Sequence, residues 1–335
     1  MLNRGSYLKS LPMESLPTFW TQEELLLLGG TTLAPAMGAK LKSLRAEYDR
    51  LRSAAERTRW YMTVKDHLDL DDWLQVDAMY RSRALDFPNI GHCMAPCIDL
   101  ANHASNDATV AIYEKDTEGN AILLLRDNKR LKVGDEVTIT YGDEKGACEM
   151  IFSYGFLEHE MESAETVFLS LDLTSNDQMR IAKASIADCA PGVKIVDAGG
   201  GKIEWTGDFI WLLCVNAEDG LRFELARTVD GQDDEMQAFF GQEEITGGAA
   251  QLHELLKSSP LWDVYHLRAM TLLQQRVFDQ LQGLFQSQDE VDATHHGDGT
   301  EIKTTTYALA MKLRQLEFEL LELAYESFEE EVCVM

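Results

Sequence analysis

The spacing of the apolar residues changes twice along this chain of 335 residues, and this limits the folds that it can adopt. Up to about residue 84, apolar side chains recur every three or four positions, which is typical of amphipathic helices. Between about 85 and 160, short apolar segments alternate with polar residues and turn signals, which predicts strands. After about residue 161, helical spacing dominates. We therefore predict an α+β fold with an N-terminal helical region, a small β-rich core and a mostly α-helical C-terminal part.

Helices are predicted before the β-rich part. Thr21 and Glu24 have the spacing of a capping box, in which each side chain accepts a free backbone N–H of the first turn. The short helix that follows is expected to end at Gly29-Gly30. Longer helices are predicted from Pro35 to about Tyr61 and from about Asp71 to Ala84.

In the β-rich part, strands are predicted from Thr109 to Tyr113 and from Ala121 to Arg126. The segment between them, Asp116 to Asn120, is a hairpin turn signal. A further strand from Asp135 to Tyr141 and a short helix from Glu144 to Ser153 complete this part.

The C-terminal part is dominated by two long predicted helices, Trp262 to Phe285 and Thr306 to Phe328. Each carries an apolar seam, so we expect an antiparallel pair joined by the polar loop Ser287 to Thr300. At the start of this part we predict a strand from Val167 to Leu173 and a helix from Asp177 to Asp188. A turn is predicted from Asp197 to Lys202.

The composition restricts the partners. There are 57 acidic and 30 basic residues, for a net charge of -27. Such a chain repels phosphate backbones, so we predict no direct nucleic-acid binding and favour a basic protein partner. No apolar run is long enough to cross a membrane, and we see no secretory signal. Six scattered cysteines suggest no disulfide framework, which favours a reducing compartment, the cytoplasm or the nucleus.

Two groups of residues resemble metal ligands, but neither predicts a metal site. His92, Cys93, Cys97 and His103 include cysteines at a suitable spacing, yet buried thiols are the better interpretation. The segment His295-His296-Gly297-Asp298 falls in the polar loop, where we expect a solvated linker.

Three short motifs stand out in the β-rich part. Asn102-His103 follows an apolar segment with Asp99 three positions earlier, Tyr141-Gly142 ends a predicted strand, and Tyr154-Gly155-Phe156 ends a short helix. Taken singly, each has an ordinary structural explanation, such as a satisfied histidine or a core aromatic residue. Their order and spacing together favour a functional interpretation.

Together these motifs resemble the catalytic half of the SET-domain protein-lysine methyltransferases. The similarity is greatest to the Rubisco large-subunit methyltransferase-like subgroup, which includes enzymes acting on ribosomal and nuclear proteins. The resemblance implies S-adenosylmethionine as cofactor and a protein substrate. It also implies a partial SET domain at 1–160, with a helical insert at about 12–84 and a catalytic β-rich part at about 85–160. Residues 161–335 then correspond to the mostly helical substrate-binding domain.

The resemblance assigns roles to individual residues. Tyr141 matches the catalytic tyrosine, whose hydroxyl lies beside the transferring methyl group and lines the lysine channel. Ser82 is expected to face the same channel. The residues that match cofactor-binding positions are Arg83, Asp99, Asn102, His103, Tyr154 and Phe156.

The reaction explains why aromatic residues suit such a site. The attacking amine must be neutral, and a free lysine has a pKa of about 10.4, so neutralising it at pH 7 costs roughly 4–5 kcal/mol. A narrow apolar channel offsets this cost by disfavouring the ammonium, and an aromatic hydroxyl orients the lone pair.

Family members begin with a glycine-containing strand and loop that binds the methionine end of the cofactor. Here the segment that resembles the following lead-in, Tyr7 to Pro12, comes almost at once. We therefore expect an incomplete SET domain: a fragment, an incomplete gene model, or a divergent inactive member. A non-catalytic protein-interaction module and a histidine-directed protein methyltransferase are the alternative functions.

Overall fold

The computed structural model describes residues 4–142, 145–173, 176–227, 234–296 and 302–334. They form two compact units, the first made of Met1–Leu25 with Leu33–His159 and the second of Leu26–Thr32 with Glu160–Met335. Helices and small sheets are mixed, as the periodicity predicts.

The helices of the first unit precede its strands. They are α1 (Arg4–Ser10), α2 (Gln22–Leu26), α3 (Leu33–Ala55), α4 (Arg59–Val64) and α5 (Leu70–Arg83). The capping box before α2 is confirmed, since the backbone N–H of Glu24 donates to the Thr21 hydroxyl and that of Thr21 donates to the Glu24 carboxylate.

The prediction of a single helix from Pro35 to Tyr61 is wrong, because the helix is interrupted between α3 and α4. Thr58 has an extended backbone there, and its hydroxyl accepts the N–H of Tyr61 at 3.2 Å. A threonine in this position starts a new helix, since it satisfies a donor that has no partner within the first turn.

The strands of the first unit are short. They are β1 (Leu85–Phe87), β2 (Gly91–Cys93), β3 (Asn102–His103), β4 (Ala111–Lys115), β5 (Ala121–Leu125) and β6 (Thr138–Ile139), and they are followed by α6 (Ala147–Tyr154). The pairs β1–β2 and β4–β5 are antiparallel, whereas β3–β6 is parallel. The predicted hairpin turn is confirmed, because the Asp116 carboxylate accepts the backbone N–H groups of Glu118 and Asn120.

The strand predicted from Asp135 to Tyr141 is paired over two residues, Thr138 and Ile139. Its partner β3 is itself two residues long, and Asp135 is bound into a turn with Lys132. The helix predicted from Glu144 to Ser153 is observed from Ala147 to Tyr154, and Glu144 itself lies outside the described residues.

Gly155 ends α6 in the left-handed conformation, with φ of 76°. A Cβ atom there would lie 2.5 Å from the carbonyl oxygen of Ser15. Only glycine combines this backbone conformation with so close an approach. The Tyr154-Gly155-Phe156 motif therefore has a structural requirement for its central residue.

A cluster of buried apolar side chains forms the core of this strand-containing part. It consists of Leu85, Phe87, Ala95, Ile98, Ala101, Ala111 and Ile139. Tyr113 and Tyr141 pack against this cluster and are half-buried. The core thus supports the segments that carry the sequence motifs.

The second unit contains two three-stranded antiparallel sheets, β7–β9 and β10–β12. The strands are β7 (Thr166–Ser170), β8 (Gly192–Asp197), β9 (Ile203–Thr206), β10 (Leu221–Arg227), β11 (Asp234–Phe240) and β12 (Glu243–Ile245). The strand predicted at Val167 and the turn predicted at Asp197 are confirmed. The sequence analysis did not predict the second sheet.

The helices of the second unit include the predicted long pair. They are α7 (Arg180–Ile186), α8 (Phe209–Cys214), α9 (Gly248–Lys257), α10 (Trp262–Gln286), α11 (Gln288–His296) and α12 (Thr304–Val334). α10 and α12 are antiparallel, since Leu284 contacts Arg314 while Phe278 contacts Tyr325. No helix in the described ranges is both long enough and apolar enough to cross a membrane.

The linker expected between α10 and α12 is instead largely helical. Residues 288–296 form α11, in which Val291 is fully buried and the His295 ring stacks on Tyr307 at 3.8 Å. The buried valine explains why the segment is ordered despite its polar composition. Gly297 and Asp298 lie outside the described residues.

Two buried side chains of α12 bind the segment Leu26–Thr32. The Arg314 guanidinium donates to the carbonyl oxygens of Gly29 and Leu284. One turn later, the Glu317 carboxyl group accepts the backbone N–H of Thr32 at 2.8 Å and also bonds its hydroxyl. Burial raises the pKa of Glu317 to about 7.

Glu317→Gln should remove a pH dependence of stability. Because the folded-state pKa of Glu317 lies above the unfolded value, its contribution is present at low pH and is lost as pH rises through about 7. A glutamine amide can accept from the Thr32 N–H and donate to its hydroxyl without ionising. We expect the difference in unfolding free energy between variant and wild type to change by on the order of 3 kcal/mol from pH 4.5 to 7.5.

Urea unfolding at a series of pH values measures this difference. Glu322→Gln, on the exposed side of the same helix, is the matched control and should give a profile close to that of the wild type. Parallel profiles for wild type and Glu317→Gln would contradict the assignment.

Candidate active site

Parallel pairing between β3 and β6 joins two of the sequence motifs. Asn102 lies opposite Thr138 and His103 opposite Ile139. Beyond the end of β6, the backbone N–H of Tyr141 donates to Nδ1 of His103 at 3.0 Å. Segments 38 residues apart in sequence are therefore fixed side by side.

Tyr141 is at the centre of a group of four rings. Its ring centroid is 4.6 Å from that of Tyr154, 5.1 Å from that of His103 and 6.5 Å from that of Phe156. These separations are typical of favourable aromatic contacts. Tyr141, Tyr154 and Phe156 are half-buried, so the group combines an apolar wall with access from solvent.

The hydroxyl of Tyr141 donates to the carbonyl oxygen of Ala101 at 2.8 Å. Burial raises the pKa of Tyr141 above its ordinary value of 10, and the nearby Arg83 guanidinium opposes this rise. The phenol is therefore neutral at pH 7. Because its proton is used on Ala101, the oxygen presents lone pairs to any neighbouring donor.

Asn102 and His103 point in different directions, as neighbours in a strand do. The Asn102 side chain is exposed, and its amide donates to Glu136 at 2.5 Å. The His103 side chain is 3% exposed, and its Nε2 lies 2.6 Å from Glu158. Asn102 is thus accessible, whereas the His103 ring is a buried connector.

The sequence analysis missed two residues of this site. Glu158 binds Nε2 of His103, and the Ser105 hydroxyl donates to the same carboxylate oxygen of Glu158. Glu158 follows Tyr154-Gly155-Phe156 by two positions, and this proximity to a motif was the only available signal.

Asp99 and Arg83 form a second group behind the loop that carries Ala101. The Asp99 carboxyl group is 4% exposed and accepts the hydroxyl of Tyr7. Burial raises the pKa of Asp99 to about 6. Its second oxygen, Oδ1, has no hydrogen-bond partner among the described residues. Arg83 donates to the Asp99 carbonyl oxygen at 3.0 Å and to Glu14 at 2.7 Å.

The structure therefore brings most of the expected site residues into two adjoining groups. Tyr141, His103, Tyr154 and Phe156 form the aromatic group. The Tyr141 hydroxyl bonds the carbonyl oxygen of Ala101, and Arg83 bonds the carbonyl oxygen of Asp99 two positions earlier, so the second group lies near the first. Ser82 instead donates its hydroxyl to the Ala78 carbonyl of its own helix at 2.8 Å.

Within the described residues, no three His, Cys, Asp or Glu side chains are placed to hold a metal ion. Of the residues considered above as ligands, the His103 ring is bound to Tyr141 and Glu158. Cys97 is exposed and Cys93 half-buried.

A double-mutant cycle on Tyr7→Phe and Asp99→Ala should show direct coupling, since either substitution removes the bond between the two side chains. At pH 7.5 the Asp99 carboxyl group is ionised, so the lost bond is charge-assisted and the coupling energy should be about 1–3 kcal/mol. At pH 5, below the pKa of about 6, the coupling should be smaller. Urea unfolding of the four proteins at both pH values measures it; additive effects at pH 7.5 would show that the contact contributes nothing.

Comparison with known proteins finds similar SET-domain proteins, although no family model matches. SET domain-containing protein 8 of Schizosaccharomyces pombe is 31% identical over 278 residues, which are 80% of this chain and 60% of that protein. The chloroplastic Rubisco large-subunit N-methyltransferase of Nicotiana tabacum is 28% identical over 192 residues, 54% of this chain and 38% of that protein. The chain thus spans about 60% or less of these relatives.

Solved structures with a similar fold include SET-domain proteins. The SET domain of LSMT bound to methyl-lysine and AdoHcy has a TM-score of 0.61 at 18% identity, covering 98% of this chain and 71% of that one. Rubisco LSMT bound to AdoMet has the same TM-score and identity, with coverages of 98% and 70%. The predicted fold class is confirmed, and so is the resemblance to SET-domain proteins and Rubisco large-subunit methyltransferases.

Proposed function

We propose that this chain is an S-adenosylmethionine-dependent protein-lysine N-methyltransferase. The observation that carries the proposal is the convergence of Tyr141 and His103 in one aromatic group, with the phenol fixed on the Ala101 carbonyl. The names of the relatives and the methyl-lysine and AdoHcy bound to the similar structure support the same chemistry.

The residues of the site fit the cofactor. S-adenosylmethionine supplies an electrophilic methyl group on a sulfonium cation. The faces of Tyr141, Tyr154 and Phe156 suit a cation because aromatic rings carry negative potential above their planes. The exposed Asn102 amide and the main chain around it would hold the polar part.

Tyr141 would orient the attacking amine. Its hydroxyl proton is committed to Ala101, so the oxygen can only accept from a lysine N–H. The aromatic wall disfavours a charged ammonium, which offsets part of the roughly 4–5 kcal/mol needed to neutralise lysine at pH 7.

The proposed substrate is a lysine in a basic protein segment, on a ribosomal or nuclear protein. The net charge of -27 supports this substrate, since it attracts cationic segments and repels nucleic acids. We place the protein in the nucleus or the cytoplasm. All six cysteines lie in described ranges and no disulfide joins them, which supports a reducing compartment.

Tyr141→Phe should abolish most of the methyl transfer while leaving the ring contacts intact. We expect a fall of about a hundredfold in kcat, because a misplaced amine loses its alignment. The measurement is the transfer of labelled methyl groups from the cofactor to proteins in a basic protein extract. The protein that becomes labelled is then purified, and kcat is measured with it as substrate. Tyr113→Phe, whose ring packs on Phe87 in the same unit at 5.1 Å, is the control and should retain activity. Undiminished labelling in Tyr141→Phe would remove this residue from the mechanism.

A non-catalytic interaction module is the second candidate, and three contacts favour it. Arg83 is already bound to Glu14 and Asp99, and the Asn102 amide to Glu136. Two side chains expected to bind the cofactor are thus satisfied within the chain. Calorimetry with S-adenosylmethionine separates the candidates: no binding at millimolar cofactor favours the module and contradicts the enzyme.

The charge argument makes a separate prediction about salt. Attraction between exposed charges is screened within about 10 Å at 0.1 M ionic strength. The kcat/KM for a lysine peptide with several basic neighbours should therefore fall several-fold between 50 and 300 mM NaCl. A peptide with the same lysine and neutral neighbours should change little. Equal salt dependence of the two peptides would show that net charge does not select the substrate.

A further inference from the structure

Glu158 binds His103 at the ring nitrogen that Tyr141 does not use. Its Oε1 atom lies 2.6 Å from Nε2 of His103 and also accepts the hydroxyl of Ser105. The His103 side chain is 3% exposed and that of Glu158 is 33% exposed. The carboxylate is therefore held in place by two donors at the edge of the aromatic group.

The two contacts of His103 determine where its proton lies. A backbone N–H can only donate, so the contact with Tyr141 requires a lone pair on Nδ1. The neutral imidazole then carries its proton on Nε2, which donates to Glu158. In the other tautomer, the Nδ1 proton would face the Tyr141 N–H and leave two buried donors without acceptors.

We propose that Glu158 is a positioning residue, which holds His103 in the Nε2–H tautomer and thereby fixes the backbone at Tyr141. A continuous chain of contacts supports this role. The Glu158 carboxylate accepts from Nε2 of His103, and Nδ1 of the same ring accepts the Tyr141 N–H. The Tyr141 hydroxyl in turn donates to the Ala101 carbonyl oxygen. The consequence for methyl transfer rests on the proposed function, whereas the consequence for the tautomer does not.

Ser105 cannot replace Glu158 in this role. Its Oγ atom is 3.4 Å from Nε2, which is long for a hydrogen bond, and its proton is donated to Glu158. Ser105 therefore acts on His103 through the carboxylate. Removing the serine hydroxyl should give a smaller effect in the same direction as removing Glu158.

The test uses 15N-labelled full-length protein at neutral pH. Long-range proton–nitrogen spectra distinguish the two tautomers, and loss of signals in His103→Asn assigns this ring among the eight histidines. The variants are Glu158→Ala, Glu158→Gln and Ser105→Ala, with Glu160→Gln, an exposed acidic neighbour, as the matched control. Amide exchange at Tyr141 reports whether its N–H remains bound.

Wild type and the control should show the pure Nε2–H tautomer and a protected Tyr141 amide. Glu158→Ala should show mixed tautomers and exchange at Tyr141 about tenfold faster, equivalent to about 1.4 kcal/mol. Glu158→Gln should restore the tautomer, because its amide oxygen still accepts from Nε2. If Glu158→Ala does not fold, Ser105→Ala should show a weaker shift of the same kind.

An unchanged tautomer and unchanged protection in folded Glu158→Ala would overturn the proposal. With an active enzyme, the same variant should lower kcat about tenfold, and Glu158→Gln should recover most of it. If the wild type transfers no methyl group, the proposed function fails, and the tautomer spectra still decide the role of Glu158.

Discussion

The parallel pairing of β3 with β6 is the constraint on which the site depends. It is two residues long, and such a short ladder contributes little by itself. Two further hydrogen bonds join the same segments: the Tyr141 N–H donates to the His103 ring, and the Tyr141 hydroxyl donates to the Ala101 carbonyl oxygen. Backbone and side-chain bonds thus alternate across the two segments. The aromatic group can form because these hydrogen bonds hold the two segments together and Ile139 of β6 anchors them in the apolar core.

Three carboxyl groups join distant segments of the chain in the same manner. Asp99 bonds Tyr7 across 92 positions, Glu158 bonds His103 across 55, and Glu317 bonds Thr32 across 285. Burial raises the pKa of Asp99 to about 6 and that of Glu317 to about 7. Burying an acidic group is unfavourable unless it is bonded. The contacts of the buried Asp99 and Glu317 therefore penalise any arrangement that separates the two segments that each of them joins.

What the sequence predicts depends on whether the signal is local. The capping box at Thr21, the hairpin turn at Asp116 and the long helices α10 and α12 follow from residues a few positions apart, and the structure confirms them. In the sequence, three- and four-residue spacing puts the seam of α12 at Leu309, Leu313, Leu316, Leu320 and Leu323. The middle three of these are buried and Leu309 is half-buried, whereas Leu321 and Ala324 are buried in place of the exposed Leu323. A helix has 3.6 residues per turn, so a row of residues spaced alternately three and four apart gradually turns away from the buried face. The Glu158–His103 contact joins residues 55 positions apart, so no local spacing signals it.

The proposed reaction places opposite electrostatic demands on the same lysine. A net charge of -27 attracts the ammonium, yet negative potential also raises its pKa and keeps it protonated. The two effects differ in range. Exposed charges beyond about 10 Å are screened, whereas desolvation inside a site can lower a lysine pKa by up to about 3–5 units. The half-buried rings around Tyr141 supply such a local environment. Surface charge can therefore govern encounter with the substrate, while the aromatic wall governs loss of the proton.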